Sequence, residues 1–275
     1  MPAEDYTSAE CRPWRAGEDE AVYIAFNPAY RLPSLPPEEA EMQLTKIQGW
    51  SANNPPPDMI ERIFSRTPKV ARELQALGVM GDALAKLDRE LVGWSALQAA
   101  IGIADVHQFA AVFEAALFFR GLPDVPVEAE VLWAHARDER LYFPEDQRIQ
   151  PAMEIAIGEA FRNAGCHVLK MSDVVMSYEL DLTVDDLLNA STSIANDRRA
   201  AAPPAAIWCE DVGMACYVGF DSATTVFRGS MAAMRASQLP CLLEGQWASA
   251  SDEPVWDYWW LAGLWPDASR PHEKS

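Results

Sequence analysis

Three short apolar segments follow one another between residues 205 and 230. They are AAIWCED (205–211), GMACYVGF (213–220) and TTVFRGS (224–230), with Asp, Gly and Ser residues near the breaks. Apolar runs of this length, separated by turn residues, are typical of an antiparallel meander, in which successive side chains point to opposite faces. This pattern predicts that an antiparallel sheet organises the C-terminal part of the chain.

The preceding residues have helical spacing instead. In GIADVHQFAAVFEAA (102–116), Gly102 predicts a turn and Asp105 predicts a helix cap. Phe109 and Phe113 are four residues apart and fall on one helix face. The segment has the outline of a DNA-reading helix-turn-helix, but residues 95–119 contain no Arg or Lys to contact phosphates. We therefore predict a pair of core helices here.

The remaining predicted strands and helices do not follow a regular order along the chain. Strands are predicted at 21–27, 166–172, 174–182, 240–245 and 253–261, and helices at 58–66, 68–77, 80–91, 95–101, 127–139, 151–165, 183–190 and 231–238. The expected fold is α+β, with a helical N-terminal half packed on a C-terminal antiparallel sheet. We expect one compact domain with a mobile acidic tail (1–20), a mainly helical region (21–165), a sheet region (166–265) and a second tail (266–275).

The net charge of the chain limits the classes of partner that it can bind. The formal net charge is −19, which repels nucleic acid and anionic membranes and attracts basic proteins. No run of apolar residues is long enough for a membrane helix, and the first 20 residues lack the apolar core of a secretory signal. The five cysteines are odd in number and widely spaced, which indicates reduced thiols in a cytoplasm. No metal-ligand spacing and no cofactor-binding motif is present, so neither a metal nor a cofactor is expected.

Two sets of residues are candidates for a site. Acidic side chains at predicted turns, together with one tryptophan of an aromatic C-terminal segment, predict a surface for a basic partner: Glu145, Asp146, Glu210, Asp211 and Trp259. A second set predicts a pocket between the helical half and the sheet: Arg62, Arg66, Tyr178, Glu179 and Cys209. Each has a structural alternative, because carboxylates often cover solvated turns, aromatic clusters often form core, and Cys209 also fits a buried thiol.

Several segments in a particular order suggest a relationship. They are VGWSALQAAIGIAD (92–105), LYFPEDQRIQP (141–151), NAGC (163–166), IWCED (207–211), YVGFD (217–221) and WDYW (256–259). This order resembles an uncharacterised bacterial family of unknown function, and the acidic composition is similar to that of immunity proteins that neutralise bacterial toxins. The resemblance implies no catalytic residues. We expect a cytosolic protein that binds a basic partner, with a small-molecule-binding protein or enzyme as the alternative.

Overall fold

The computed structural model describes residues 19–31, 86, 89–118, 125–144, 148–173, 176–197, 199–200, 202–218 and 223–248. The predicted helices at 58–66 and 68–77, most of the helix at 80–91, the strand at 253–261 and both predicted tails, apart from Asp19 and Glu20, lie outside the described residues.

The described chain contains a large antiparallel sheet with helices on both faces. The strands are β1 (Glu20–Phe26), β2 (Ala29–Arg31), β3 (Glu90–Val92), β4 (Val168–Ser172), β5 (Leu180–Thr183), β6 (Ala206–Cys209), β7 (Met214–Val218), β8 (Thr224–Ser230) and β9 (Gly245–Trp247). The helices are α1 (Trp94–Ile101), α2 (Val106–Phe118), α3 (Val127–Asp138), α4 (Glu154–Asn163), α5 (Val184–Leu188), α6 (Met231–Ala236) and α7 (Leu239–Leu242), with 3-10 turns at Pro151–Met153 and Ile194–Asn196.

The sheet confirms the predicted mixture of helices and antiparallel strands. Seven strands pair in the order β5-β4-β6-β7-β8-β1-β9, while β2 and β3 form a separate pair. The predicted meander is present as β6, β7 and β8. The strand β1, which comes from the N-terminal region, lies between β8 and β9. The sheet is therefore built from both halves of the chain.

Each face of the sheet packs against its own group of helices. On one face, here called the α4 face, Phe227, Cys216 and Ile207 form a row that packs against α4 to α7. On the opposite face, the α2 face, Val22 and Ile24 of β1 pack beneath α1, α2 and α3. The side chains alternate between the faces along each strand, so the meander contributes to both surfaces.

The predicted core helix pair is confirmed. Gly102 has φ 77° and ends α1, and the Asp105 carboxylate accepts a hydrogen bond of 2.7 Å from the backbone N–H of Gln108. Phe109 and Phe113 are fully buried. Within the described residues, no single helix is long and apolar enough to span a membrane; α1 and residues 106–117 of α2 meet that criterion only as a pair bent by 89°.

The predicted helix–strand boundary near Gly165 is also confirmed. Residues 151–163 are helical, Gly165 has φ 89°, and β4 follows at Val168. Thr183 and Asp186 form a capping box at the start of α5, which lies within the helix predicted at 183–190. Local capping and turn chemistry therefore determine these ends.

Three predicted boundaries are wrong, and distant residues determine the first two. Glu90–Val92 is a strand rather than the end of a helix, since it pairs with β2. The helix predicted at 95–101 begins at Trp94, and the N–H and hydroxyl of Ser95 in its first turn both donate to the carboxylate of Glu244. The extended segment predicted at 174–182 becomes a strand only from Leu180, since Met176 has φ 55° in the turn that follows Asp173.

The predicted strand at 240–245 is wrong for a different reason. Residues Leu239–Leu242 form the short helix α7, with Pro240 in its first turn, where the missing N–H of proline has no intrahelical partner to lose. The strand β9 begins only at Gly245 and ends at Trp247. A short apolar run fits either structure, so periodicity could not separate the two.

Tyr23 should make the fold sensitive to alkaline pH. Its hydroxyl donates a 2.7 Å hydrogen bond to the Leu243 carbonyl, and burial, with a smaller effect from Glu244, raises its pKa from 10.0 to about 12. A raised pKa in the folded state means that this stabilisation is complete below pH 10 and is lost as the pH rises towards 12. Urea unfolding should show that wild type loses about 2–3 kcal/mol more than Tyr23→Phe across this interval. Parallel pH profiles would contradict the assignment.

Candidate functional site

Two neighbouring strands carry a groove on the α2 face, beside the part covered by α1 to α3. The cavity has a volume of about 470 Å³ and lies over β6 and β7. Its lining residues come from these strands and from the turn after β4: Asp173, Met176, Ala205, Ala206, Ile207, Trp208, Ala215, Cys216, Tyr217 and Val218. This volume is in the range of ordinary ligand pockets.

The register of β6 and β7 determines the floor of the groove. Trp208 lies directly opposite Ala215, and Ala206 lies directly opposite Tyr217. All four side chains are half-buried and project from the α2 face, since the intervening Ile207 and Cys216 are buried in the core beneath α4. The two aromatic residues are therefore diagonal neighbours, each beside an alanine.

An acidic cluster surrounds one lysine next to this groove. Lys170 Nζ lies 2.8 Å from Glu179 Oε1 and 3.0 Å from Glu210 Oε1. Asp181 is the cross-strand neighbour of Lys170, and Asp211 follows Glu210 in the exposed turn. We call these residues the Lys170 cluster: Lys170, Glu179, Asp181, Glu210 and Asp211. Two carboxylates contact the single ammonium group of the cluster, so these three side chains together carry a net negative charge.

Strand pairing connects the cluster to the groove. Lys170 is the cross-strand neighbour of Trp208, and its hydrogen bond and charge hold the pKa of Glu210 below its usual value. A hydrogen bond from Trp208 lowers the pKa of Glu210 further. Hydrogen bonds to Glu179 and Glu210 in turn raise the pKa of Lys170. Glu210 therefore stays ionised at neutral pH beside an aromatic side chain.

Residues predicted for two different functions meet at this cluster. Glu210 and Asp211 were predicted for a basic partner and Glu179 for a pocket, yet Glu179 and Glu210 bind the same lysine. Tyr178 is adjacent in sequence, but its hydroxyl donates to the Ala202 carbonyl at 2.8 Å and its ring packs against the core beneath α4. Glu145, Asp146, Trp259, Arg62 and Arg66 lie outside the described residues.

Cys209 does not line the groove. It is 3% exposed and belongs to the core on the α4 face. Burial raises the pKa of the neighbouring Cys166, and Cys209 raises it further. A side chain buried on the opposite face of the sheet cannot contact a ligand in the groove, so Cys209 is not a nucleophile for this site. In the described part of the chain, no three His, Cys, Asp or Glu side chains are grouped closely enough to hold a metal ion.

A second charged cluster is entirely internal. Lys86 Nζ lies 2.8 Å from Glu154 Oε2, and both side chains are fully buried. The ammonium group also donates to the carbonyls of Thr192 and Asp186, while Glu154 accepts from the Ser193 hydroxyl and the Ile194 N–H. Because the described donors and acceptors around Lys86 and Glu154 satisfy one another, this network joins segments of the fold.

Sequence reasoning did not identify Lys170, Trp208 and Tyr217 as site residues. The available signal was the alternation of the meander, which places Trp208 and Tyr217 on the face opposite Ile207 and Cys216. Lys170 required the long-range pairing of β4 with β6, for which the sequence contains no local signal. The function of this site must be argued from its own chemistry, since no protein-family model, no curated protein and no solved structure matches the chain.

Proposed function

We propose that this chain is a binding protein whose Lys170 cluster contacts a basic partner. The observation that carries the proposal is the surplus of carboxylates at this cluster: Glu179 and Glu210 share Lys170, and Asp181 lies opposite Lys170 on β5. The side chains of Glu179 and Glu210 are 54% and 65% exposed. A partner cation can therefore reach them without unfolding any part of the site.

The charge of the whole chain supports the same class of partner. A net charge of −19 speeds the encounter with a basic protein, and the local carboxylates then select its orientation. A toxin-neutralising immunity protein is the class that we favour, because such a protein acts by occupying a basic surface and needs no catalytic group of its own. We also propose a cytoplasmic location, which the adjacent free thiols of Cys166 and Cys209 support.

The first test is a selection from a phage-displayed library of random 12-residue peptides. We expect the selected peptides to be rich in Lys and Arg and to bind less tightly as salt is added, since exposed charges are screened. Glu179→Gln/Glu210→Gln should weaken this binding about tenfold at low ionic strength. Lys170→Gln should strengthen it, because the variant removes the cation that competes for both carboxylates.

A matched control variant distinguishes the effect of the Lys170 cluster on binding from the effect of the total charge. Glu128→Gln/Glu130→Gln also removes two negative charges, but on α3, in the layer that covers β1. We expect this control to bind the selected peptides nearly as well as wild type. Equal losses in the two double variants, or selected peptides with no excess of cations, would overturn the proposal.

The immunity function has a cellular test. Copurification from the native host should recover a basic protein in stoichiometric amount with wild type and with Glu128→Gln/Glu130→Gln, but not with Glu179→Gln/Glu210→Gln. Expression of that basic protein alone should stop growth, and coexpression of wild type should restore it. A captured protein that is harmless when expressed alone would exclude the immunity function while leaving the binding function in place.

A further inference from the structure

We call the space between the two aromatic side chains that line the groove the slot. Trp208 and Tyr217 are diagonal neighbours on adjacent antiparallel strands, with Ala215 and Ala206 at the other two corners. Diagonal neighbours in an antiparallel pair lie about 7–8 Å apart. A planar group in van der Waals contact with a ring on each side needs about this separation, and the alanines at the other two corners add little side-chain volume there.

We propose that this slot binds the guanidinium group of an arginine from the basic partner. This inference rests on the proposed function and specifies the chemistry of the partner. A guanidinium group is planar, stacks on aromatic faces and is more weakly hydrated than an ammonium group. The exposed Glu210 carboxylate, two residues after Trp208 along the chain, supplies the negative charge near one end of the slot.

The charged groups around the slot favour a cation. Lys170 is paired with Glu179 and Glu210, and Arg228, the cross-strand neighbour of Ala215, is paired with Glu20. The Asp173 carboxylate accepts hydrogen bonds from the N–H and the hydroxyl of Ser177. Among the described residues around the groove, carboxylates therefore outnumber cations. Met176, whose side chain is 59% exposed, adds an apolar edge against which the aliphatic part of an arginine can pack.

Three synthetic peptides distinguish shape from charge. Acetylated octapeptides of alternating glycine with arginine, lysine or citrulline have the same length; the first two have the same charge, and citrulline keeps the planar shape without the charge. Affinity is measured by calorimetry, and the Trp208 indole N–H is followed by NMR after assignment with Trp208→Phe. We expect the arginine peptide to bind about five to ten times more tightly than the lysine peptide and to shift the Trp208 signal.

Two variants test the slot itself. Trp208→Ala removes one wall, and Ala215→Leu fills the space while keeping both rings; each should reduce the arginine-to-lysine preference to about one. Trp247→Ala, on the edge strand β9, removes an exposed tryptophan far from the groove and should leave the preference unchanged. Circular dichroism and thermal unfolding establish whether each variant is folded. If Trp208→Ala does not fold, Ala215→Leu still tests the slot.

The outcomes separate this inference from the proposed function. If the arginine and lysine peptides bind equally well and both bind less tightly to Glu179→Gln/Glu210→Gln, the slot is overturned. The proposal of a basic partner then still holds. If neither peptide shows salt-dependent binding, both the arginine slot and the basic partner are overturned. Dimerisation that Ala215→Leu abolishes would instead assign the groove to a second copy of the chain. The chain's own segment 62–72 also contains cations, which a variant can replace with glutamine. If that variant binds the peptides more strongly than wild type, the groove is occupied by this segment.

Discussion

Replacement of Lys86 by methionine is expected to lower the free energy of unfolding by about 3–5 kcal/mol. Lys86 Nζ lies 2.8 Å from Glu154 Oε2, and neither side chain is exposed. Methionine approximates the aliphatic part of lysine but removes the charge, so Glu154 keeps the Ser193 and Ile194 donors without its counter-ion. A buried charge that loses its partner retains the full cost of its desolvation. Urea unfolding at pH 7 measures the difference.

Two control variants distinguish the effect of burying an unpaired charge from the effect of breaking any ion pair. Lys86→Met/Glu154→Met replaces the whole pair with apolar side chains, so it should recover most of the lost stability. Arg162→Met breaks the exposed pair with Glu159, in which the side chains are 55% and 38% exposed, and should cost less than about 1 kcal/mol. A loss of less than about 1 kcal/mol in Lys86→Met would contradict the role that we assign to the pair.

The pH dependence of the Lys86→Met variant follows from the environment of Glu154. Burial raises the pKa of this carboxyl group above 4.5, and Lys86 is the largest influence that lowers it again. Without Lys86 the raised pKa in the folded state remains, so the folded form binds a proton more readily than the unfolded form. Stability of the variant should therefore be highest at acidic pH and fall as the pH rises above 4.5. The destabilisation relative to wild type should be larger at pH 8 than at pH 5.

Features with local causes could be predicted from the sequence. Gly102 and Asp105 determine the turn between α1 and α2, and Thr183 with Asp186 determines the start of α5. The meander was recognisable because its turn residues and its alternation occur within one short stretch. In each case the residues that specify the structure lie within a few positions of the structure that they specify.

Features with distant causes could not be predicted in the same way. Glu244 caps α1 from 149 residues away, and β1 joins the sheet by pairing with β8 and β9. The Lys86–Glu154 pair has no sequence pattern, because its partners come from separate segments. The same limit applies to the candidate site. Glu210 was identifiable as a carboxylate at a predicted turn and Glu179 as one within a predicted strand, but only the pairing of β4 with β5 and β6 places both beside Lys170.

Replacement of Trp94 by alanine is expected to cost about 3–5 kcal/mol of stability. Trp94 is fully buried, and its ring stacks on Phe26 with a centroid distance of 4.4 Å. Centroid distances of 5.2 Å also place it against Phe109 and Phe113 of α2. The residue therefore joins α1 and α2 to the β1 strand, and alanine would leave a cavity at the centre of this layer. Chemical denaturation of the variant and wild type measures the loss.

Trp94→Phe separates the packing of Trp94 from its hydrogen bond. Phenylalanine keeps an aromatic ring beside Phe26 but removes the indole N–H, which donates to the Asn27 carbonyl at 3.0 Å. The expected loss is about 1–3 kcal/mol, the cost of leaving a buried acceptor without its donor, in addition to a smaller cavity.

Trp247→Ala is the matched control, because Trp247 is 42% exposed on the edge strand β9, and it should cost about 1 kcal/mol. Equal losses for Trp94→Ala and Trp247→Ala would contradict the central position of Trp94. The groove lies over β6 and β7, whereas Trp94 packs on β1, so the folded Trp94 variants should keep the wild-type preference for the arginine peptide. A loss of that preference would mean that the α1 layer contributes to the binding site.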